Sequence, residues 1–205
     1  MSQQKIILLT GFEPFGGSSV NPSIKACKLL MNEIYNGYTV KVEEIPLRFK
    51  EIKPIIIKHI DAYNPSAVIC TGQSSRPLIS IERVAINVAN ARIPYNCGSK
   101  PIDEKLEQDG PAGFFTKLAL RKLLESLTEA KIPAEISNTA GTFGCNQIFY
   151  HLMKHLEDNG INMPAGFVHV PSLPEQVIGH NKPSMSLEVT AKALRIIIKS
   201  ISDTL

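Results

Sequence analysis

The 205-residue chain has no long hydrophobic run: its longest, such as Ile6-Ile7-Leu8-Leu9, fall far short of the roughly 20 apolar residues that cross a bilayer. It also lacks a basic block and any stripe of arginines interleaved with aromatics. Its 22 basic and 19 acidic residues are scattered, for a net charge of +3. Nucleic-acid surfaces concentrate positive charge, so neither nucleic acid nor a membrane is an expected partner. Cysteine is sparse, at positions 27, 70, 97 and 145, with no CxxC spacing. A thiolate zinc site or a disulfide framework needs paired spacings, so these are four separate thiols. The Met1-Ser-Gln-Gln-Lys start runs straight into a strand-like segment, without the charged region, apolar stretch and cleavage site of an export signal. The expected address is the cytoplasm. There is no internal repeat and no low-complexity tract.

What is present suits a globular enzyme. With 43% hydrophobic and 20% charged residues, the chain can bury a sizeable core, and its length favours one domain over residues 1–205. Strand-like runs at Lys5–Thr10, Thr39–Pro46, Ser66–Thr71, Ile79–Val88, Ala134–Ser137 and Gly166–Val170 alternate with helix-period segments. Those are Pro22–Tyr35, capped by Asn21, then about Pro54–Tyr63, Ala112–Ala130, Cys145–Asn159 and Met185–Ser202. Alternating βα units predict an α/β fold: a three-layer αβα sandwich around a mostly parallel twisted sheet. Ligands then sit at the carboxyl ends of strands, which singles out the loops after Thr10, Thr71 and Ser137 and the turn after Val170. The Ala91–Pro111 loop, with Pro94, Gly98, Pro101 and Gly110, is long enough to be a lid or an interface, and a disordered surface excursion is the plain alternative.

Cys145 stands at a helix start directly after Asn138-Thr-Ala-Gly-Thr-Phe-Gly144. A helix N-terminus stabilises a thiolate, and its free N–H groups can hold an oxyanion. Cys27 on a helix face and Cys70 in a strand read as core residues, and Cys97 lies in the long loop with no helix terminus beside it. Of the five histidines, His59 falls in a helix. His151 and His155 have the i, i+4 spacing of a zinc helix, but position 152 is Leu where that motif needs Glu, so the pair reads as a solvated helix face and no metal is expected. His180 in a polar loop is a reserve base. His169 interrupts the apolar strand Gly166-Phe-Val-His-Val170 near the carboxyl edge, where an imidazole can take a proton from a thiol. Glu82, in Ile79-Ser-Ile-Glu-Arg-Val-Ala-Ile86, is a candidate for the carboxylate that orients the imidazole, with a salt bridge to Arg83 or Arg92 as the alternative.

Thr10-Gly-Phe-Glu-Pro-Phe-Gly-Gly17 fits neither GxGxxG nor a P-loop, and its two phenylalanines, Phe12 and Phe15, suit a flat uncharged ring. That segment with Asn21-Pro22-Ser23, Ile81-Glu-Arg-Val-Ala-Ile-Asn87, Ser137-Asn-Thr-Ala-Gly-Thr-Phe-Gly-Cys-Asn146 and Gly166-Phe-Val-His-Val-Pro171 closely resembles the pyroglutamyl peptidase I (pyrrolidone-carboxyl peptidase) family of cysteine peptidases. The resemblance spans nearly the whole chain, in length and motif order. It implies a Cys145–His169–Glu82 triad that removes N-terminal pyroglutamate from peptides, a fold related to the purine nucleoside phosphorylases, a homotetramer, and no cofactor. It further implies a ring pocket walled by Phe12, Phe15 and Phe143, with Asn21, Gln73 and Arg92 as substrate contacts. Two departures stand out. Ser74-Ser75 replaces a glycine-rich segment, and Gly144 stands where family members often have valine. A phosphorylase-like transferase and a silent pyroglutamate-binding protein are the competing readings.

Overall fold

The computed structural model describes residues 5–205. The Met1–Gln4 part of the start, read above as free of an export signal, lies outside the described residues. Seven strands form one sheet in the order β2 (Ile34–Tyr35), β3 (Tyr38–Ile45), β1 (Ile6–Phe12), β4 (Ala67–Gln73), β9 (Ala165–Val170), β5 (Ile79–Glu82), β8 (Ala134–Ser137). The pairs β1/β3, β1/β4, β4/β9 and β5/β8 are parallel, while β2/β3 and β5/β9 are antiparallel. A separate antiparallel pair joins β6 (Val84–Ile86) to β7 (Gly113–Phe115). The α/β class and the mostly parallel sheet are as expected.

Both sheet faces are covered, which explains why the central strands read as unbroken apolar runs. Successive side chains point to opposite faces. Ile7, Leu9, Ile69, Val168 and Val170 therefore pack with α1 (Pro22–Lys28), α3 (Leu120–Glu129) and α5 (Leu187–Ser202). Leu8, Phe12, Val68, Cys70 and Phe167 pack with α2 (Ile52–Tyr63) and α4 (Gly144–Asp158). This parity places the site. Gly72, His169 and Glu82 continue the Cys70, Phe167 and Ser80 series, so all three side-chain positions face the α2/α4 layer.

Four expectations need correction. The Pro22–Tyr35 helix ends at Lys28, because Asn32 (φ 65°) leaves the helical region and Asn36-Gly37 (φ 49° and 83°) makes the tight turn of a β2–β3 hairpin. The Ile79–Val88 segment splits after Glu82: β5 joins the main sheet and β6 leaves it. The first part of Ala112–Ala130 is strand rather than helix, with Phe114 buried and Phe115 72% exposed in the alternation of a strand pair. Finally, His151 does not lie on a solvated helix face: it is buried, with Nδ1 3.3 Å from Glu107 Oε1. The long loop delivers Glu107 onto α4, a long-range contact that helical periodicity cannot show.

Hydrogen bonds hold the long loop, against the disordered alternative. Asn87 donates to the carbonyls of Glu107 (2.7 Å) and Gly110 (3.2 Å) and accepts from Glu107 N–H. Asn96 N–H donates to Leu47 O, and Tyr95 is buried. Among the described residues no helix is long and apolar enough to cross a membrane, and no cluster of three or more His, Cys, Asp or Glu is placed to hold a metal ion.

Candidate active site

Glu82 closes β5 fully buried, and a carboxylate removed from water needs partners. Its Oε1 accepts two bonds of 2.7 Å, from His169 Nδ1 and from Arg76 NH1. The alternative salt bridges to Arg83 and Arg92 are not formed: Arg83 Nε donates to Asn138 Oδ1, and Arg92 is exposed on the long loop. Glu82 Oε2 is buried with no hydrogen-bond partner. His169 is 5% exposed, and its ring meets the Phe167 ring edge-on with centroids 4.9 Å apart. With Nδ1 committed to the carboxylate, Nε2 is the nitrogen left to exchange a proton.

Cys145 approaches from the opposite layer, as the second residue of α4. The contact that locates it is with Gly72, which pairs in register with His169 across β4 and β9. A Cβ built on Gly72 would lie 2.6 Å from Cys145 Sγ and 2.8 Å from Phe167 Cζ. The missing side chain at position 72 is therefore the space the thiol occupies beside the histidine strand. No side chain caps the start of α4, at Phe143, so the first-turn N–H groups stay available to an anion.

Opposed effects act on the thiol. The helix-start position implied an activated thiolate, and the Cys145 backbone N–H does favour the charged form. Burial outweighs it, with the Glu82 charge adding to burial, and the thiol is pushed up to about 12. The side chain is nonetheless only half-buried, and the direction of the shift gives a base beside the thiol a part in its attack. Cys27 and Cys70, read as core residues, are fully buried, and burial also raises each to about 12. Cys97 is exposed.

The proposed ring walls are partly assembled. Phe15 and Phe143 are half-buried, with centroids 6.2 Å apart. Phe12 is 2% exposed at the end of β1. Asn21 is occupied locally: its Oδ1 accepts from Ser23 N–H (3.0 Å) and hydroxyl (2.8 Å), and its amide donates to Glu13 O (3.0 Å). Gln73 donates to Ser172 Oγ at 2.9 Å and adjoins Gln176. His180, the reserve base, is exposed.

Sequence reasoning missed four participants. Arg76 shares the Glu82 oxygen. Tyr95 sets its ring at a tilt to Phe143 and Phe49, with centroids 4.4 Å and 5.4 Å away, extending the aromatic wall. Gly72 makes room for the thiol, and Leu47 fills the notch left by Gly144, since a Cβ there would overlap its Cδ1. The signal for Arg76 was present: it follows the carboxyl end of β4, where ligand-facing residues gather.

The comparisons with known proteins agree. Residues 5–204 match the family model described as pyroglutamyl peptidase. The chain is 45% identical over 193 residues to the pyrrolidone-carboxylate peptidase of Bacillus licheniformis, covering 94% of this chain and 90% of that protein. Identity to the pyrrolidone-carboxylate peptidase of Thermococcus kodakarensis is 43% over 200 residues, covering 97% of each. In three dimensions the chain superposes on the crystal structure of pyroglutamyl peptidase I from Bacillus amyloliquefaciens with a TM-score of 0.94 at 40% identity, over 97% of this chain and 95% of that one. The pyrrolidone carboxyl peptidase of Thermococcus litoralis gives 0.93 at 36%, over 97% and 94%. Motif order, fold and full-length similarity thus agree, and the chain belongs to the pyroglutamyl peptidase family.

Proposed function

We propose that this chain is a cysteine exopeptidase that hydrolyses the amide bond after an N-terminal pyroglutamyl residue, with Cys145 as nucleophile, His169 as general base and acid, and Glu82 as the orienting carboxylate. The observation that carries this reading is the buried 2.7 Å bond between His169 Nδ1 and Glu82 Oε1, on the strand whose register partner, Gly72, abuts the Cys145 sulfur.

His169 Nε2 takes the thiol proton as sulfur attacks the carbonyl carbon, and the buried carboxylate balances the imidazolium. The C–S bond forms, and negative charge moves to the carbonyl oxygen, facing the N–H groups that open α4. Collapse breaks the C–N bond, and the imidazolium returns its proton to the leaving amine. A water, deprotonated by His169, then attacks the thioester carbon; the C–S bond breaks, pyroglutamate leaves, and the imidazolium returns its proton to the Cys145 sulfur.

The pyroglutamyl ring is a neutral lactam with no ammonium, suited to the walls of Phe15 and Phe143, with Phe12 behind them and Gln73 and Arg92 as polar contacts; Asn21, buried and bonded to Ser23 and Glu13, shapes the Phe12–Phe15 loop from within. A phosphate-binding reading finds a carboxylate in the relevant loop: Glu13 Oε1 accepts from Leu47 N–H and from the Asn96 amide, both at 2.8 Å. Free thiols, Cys97 exposed among them, suit a reducing cytoplasm, and the exposed Phe115 and Ile102 offer apolar area for assembly into a homotetramer.

The test is paired turnover of a pyroglutamyl-amide and a prolyl-amide reporter. A site that pairs both lactam groups rejects proline by roughly 10⁴-fold. Equal rates, or no hydrolysis of the pyroglutamyl reporter, would contradict the proposal.

A further inference from the structure

Arg76 has no place in the chemistry above, yet it touches the centre of the site. Its NH1 donates to Glu82 Oε1 (2.7 Å), the same oxygen that holds His169, and its NH2 donates to Thr139 O (2.9 Å) in the loop that leads to Cys145. A third group, Glu135, lies 3.8 Å from Nε and also accepts from Ser80 Oγ at 2.9 Å. The Arg76 side chain is 29% exposed, whereas Glu82 is fully buried. The partly exposed guanidinium thus contacts the buried carboxylate and links it to the nucleophile loop.

We infer that Arg76 is a positioning residue for the reaction, supplying the cation that balances the buried Glu82 carboxylate beside His169 and tying that pair to the loop that presents Cys145. This rests on the triad reading above. Two charges set the first effect. His169 can take the Cys145 proton only if a charged carboxylate stands behind it, and a buried carboxylate is costly to keep charged without an opposing cation. Arg76 supplies the opposing cation. The charged or titratable groups facing the pair are Arg76 from the β4–β5 connection, Cys145 from α4 and, through Arg76, Glu135 from β8. Since the two members are coupled, the effect belongs to the pair and not to one residue. The planar fork sets the second effect: a guanidinium can bond the carboxylate and the Thr139 carbonyl at once from two nitrogens, whereas the single ammonium of lysine cannot hold both in that geometry.

The experiment measures kcat/KM against pH for wild type, Arg76→Met and Arg76→Lys on a pyroglutamyl-amide reporter, with Cys145→Ala alongside and unfolding midpoints for each. The acidic limb of kcat/KM reports the essential base of the free enzyme. For Arg76→Met the limb should move to higher pH by about one unit, the low end of a neighbouring-charge effect, so that kcat/KM on the acidic side of the limb falls by up to about 10-fold while the plateau above it changes little. For Arg76→Lys, which keeps the charge, the limb should return close to the wild-type position while kcat stays reduced. A limb that stays in place in a folded Arg76→Met overturns the inference, as does full kcat in Arg76→Lys. If Arg76→Met does not fold, Arg76→Lys decides: a wild-type limb with lowered kcat supports the inference, and a displaced limb or full kcat refutes it. An active Cys145→Ala would sink the triad reading itself, whereas an inactive one beside an unmoved limb sinks only the role of Arg76.

Discussion

Replacing Gly72 with alanine is the smallest change that reaches the nucleophile without touching it. Gly72 does not have a positive φ, so an L side chain adds no backbone strain there, and any effect is steric. The new Cβ would lie 2.6 Å from Cys145 Sγ, where ordinary contact begins at 3.4 Å, so one of them must retreat by about 0.8 Å. The strand cannot move easily, because Gly72 is held between Cys70↔Phe167 and Gln73↔Val170 in the β4/β9 ladder. The thiol yields instead, by rotating away from the histidine strand. A displacement near 1 Å of a reacting group costs on the order of 10²-fold in rate. The second clash, 2.8 Å to Phe167 Cζ, falls on a packed ring and adds an overpacking cost of about 1–3 kcal/mol. Steady-state kinetics on a pyroglutamyl-amide reporter should show kcat lowered about 100-fold with little change in KM. The unfolding midpoint should fall modestly. A folded Gly72→Ala with wild-type kcat would refute the placement of Cys145 against Gly72.

Two further outcomes follow from packing and burial. Gly144→Val alone should destabilise by about 1–3 kcal/mol, because its Cβ overlaps Leu47 Cδ1, and Leu47→Ala alone by about 2–5 kcal/mol from the cavity it leaves. The double variant should cost less than the sum by about 1 kcal/mol or more in denaturant unfolding, and strict additivity would show that the two do not share one space. Burial lowers His151 to about 4, so between pH 6.5 and about 4 the unfolded chain carries a proton that the folded chain does not. Stability should then fall with acid across that window at up to about 1.4 kcal/mol per pH unit, and His151→Gln should flatten that slope, as read from denaturation at several pH values. An equal slope in the variant would contradict the assignment.

Much of this site is legible in the sequence because strand parity and helix starts are local properties. Cys145 stands out as the one thiol at a helix start, and His169 as the polar break in an apolar strand near its carboxyl end. Parity also aligns Glu82 with Ser80, away from Ile79 and Ile81, and thus toward the layer that holds α4. The place of Arg76 just beyond β4 was legible but its bond to Glu82 was not, since it reaches the carboxylate across a loop whose path depends on where β5 joins the sheet. Because β5 and its neighbour β8 run against β9, the strand leading to Cys145 runs opposite to the one carrying His169, and alternating βα segments give no sign of that reversal. The burial acting on the thiol was hidden for a related reason: a helix terminus is visible in the sequence, but Cys145 packs against a cluster assembled from distant segments, Tyr95 and Cys70 among them. Asn32 and the Asn36-Gly37 turn were local signals, and they outweigh the helical periodicity of residues 29–35.

The most direct test of the central claim is turnover of a pyroglutamyl-amide reporter by wild type, Cys145→Ala and Cys97→Ala at matched folded concentration. Loss of measurable turnover in Cys145→Ala, with Cys97→Ala retaining wild-type activity, is the expected result. Undiminished turnover in Cys145→Ala would contradict the assignment of the nucleophile.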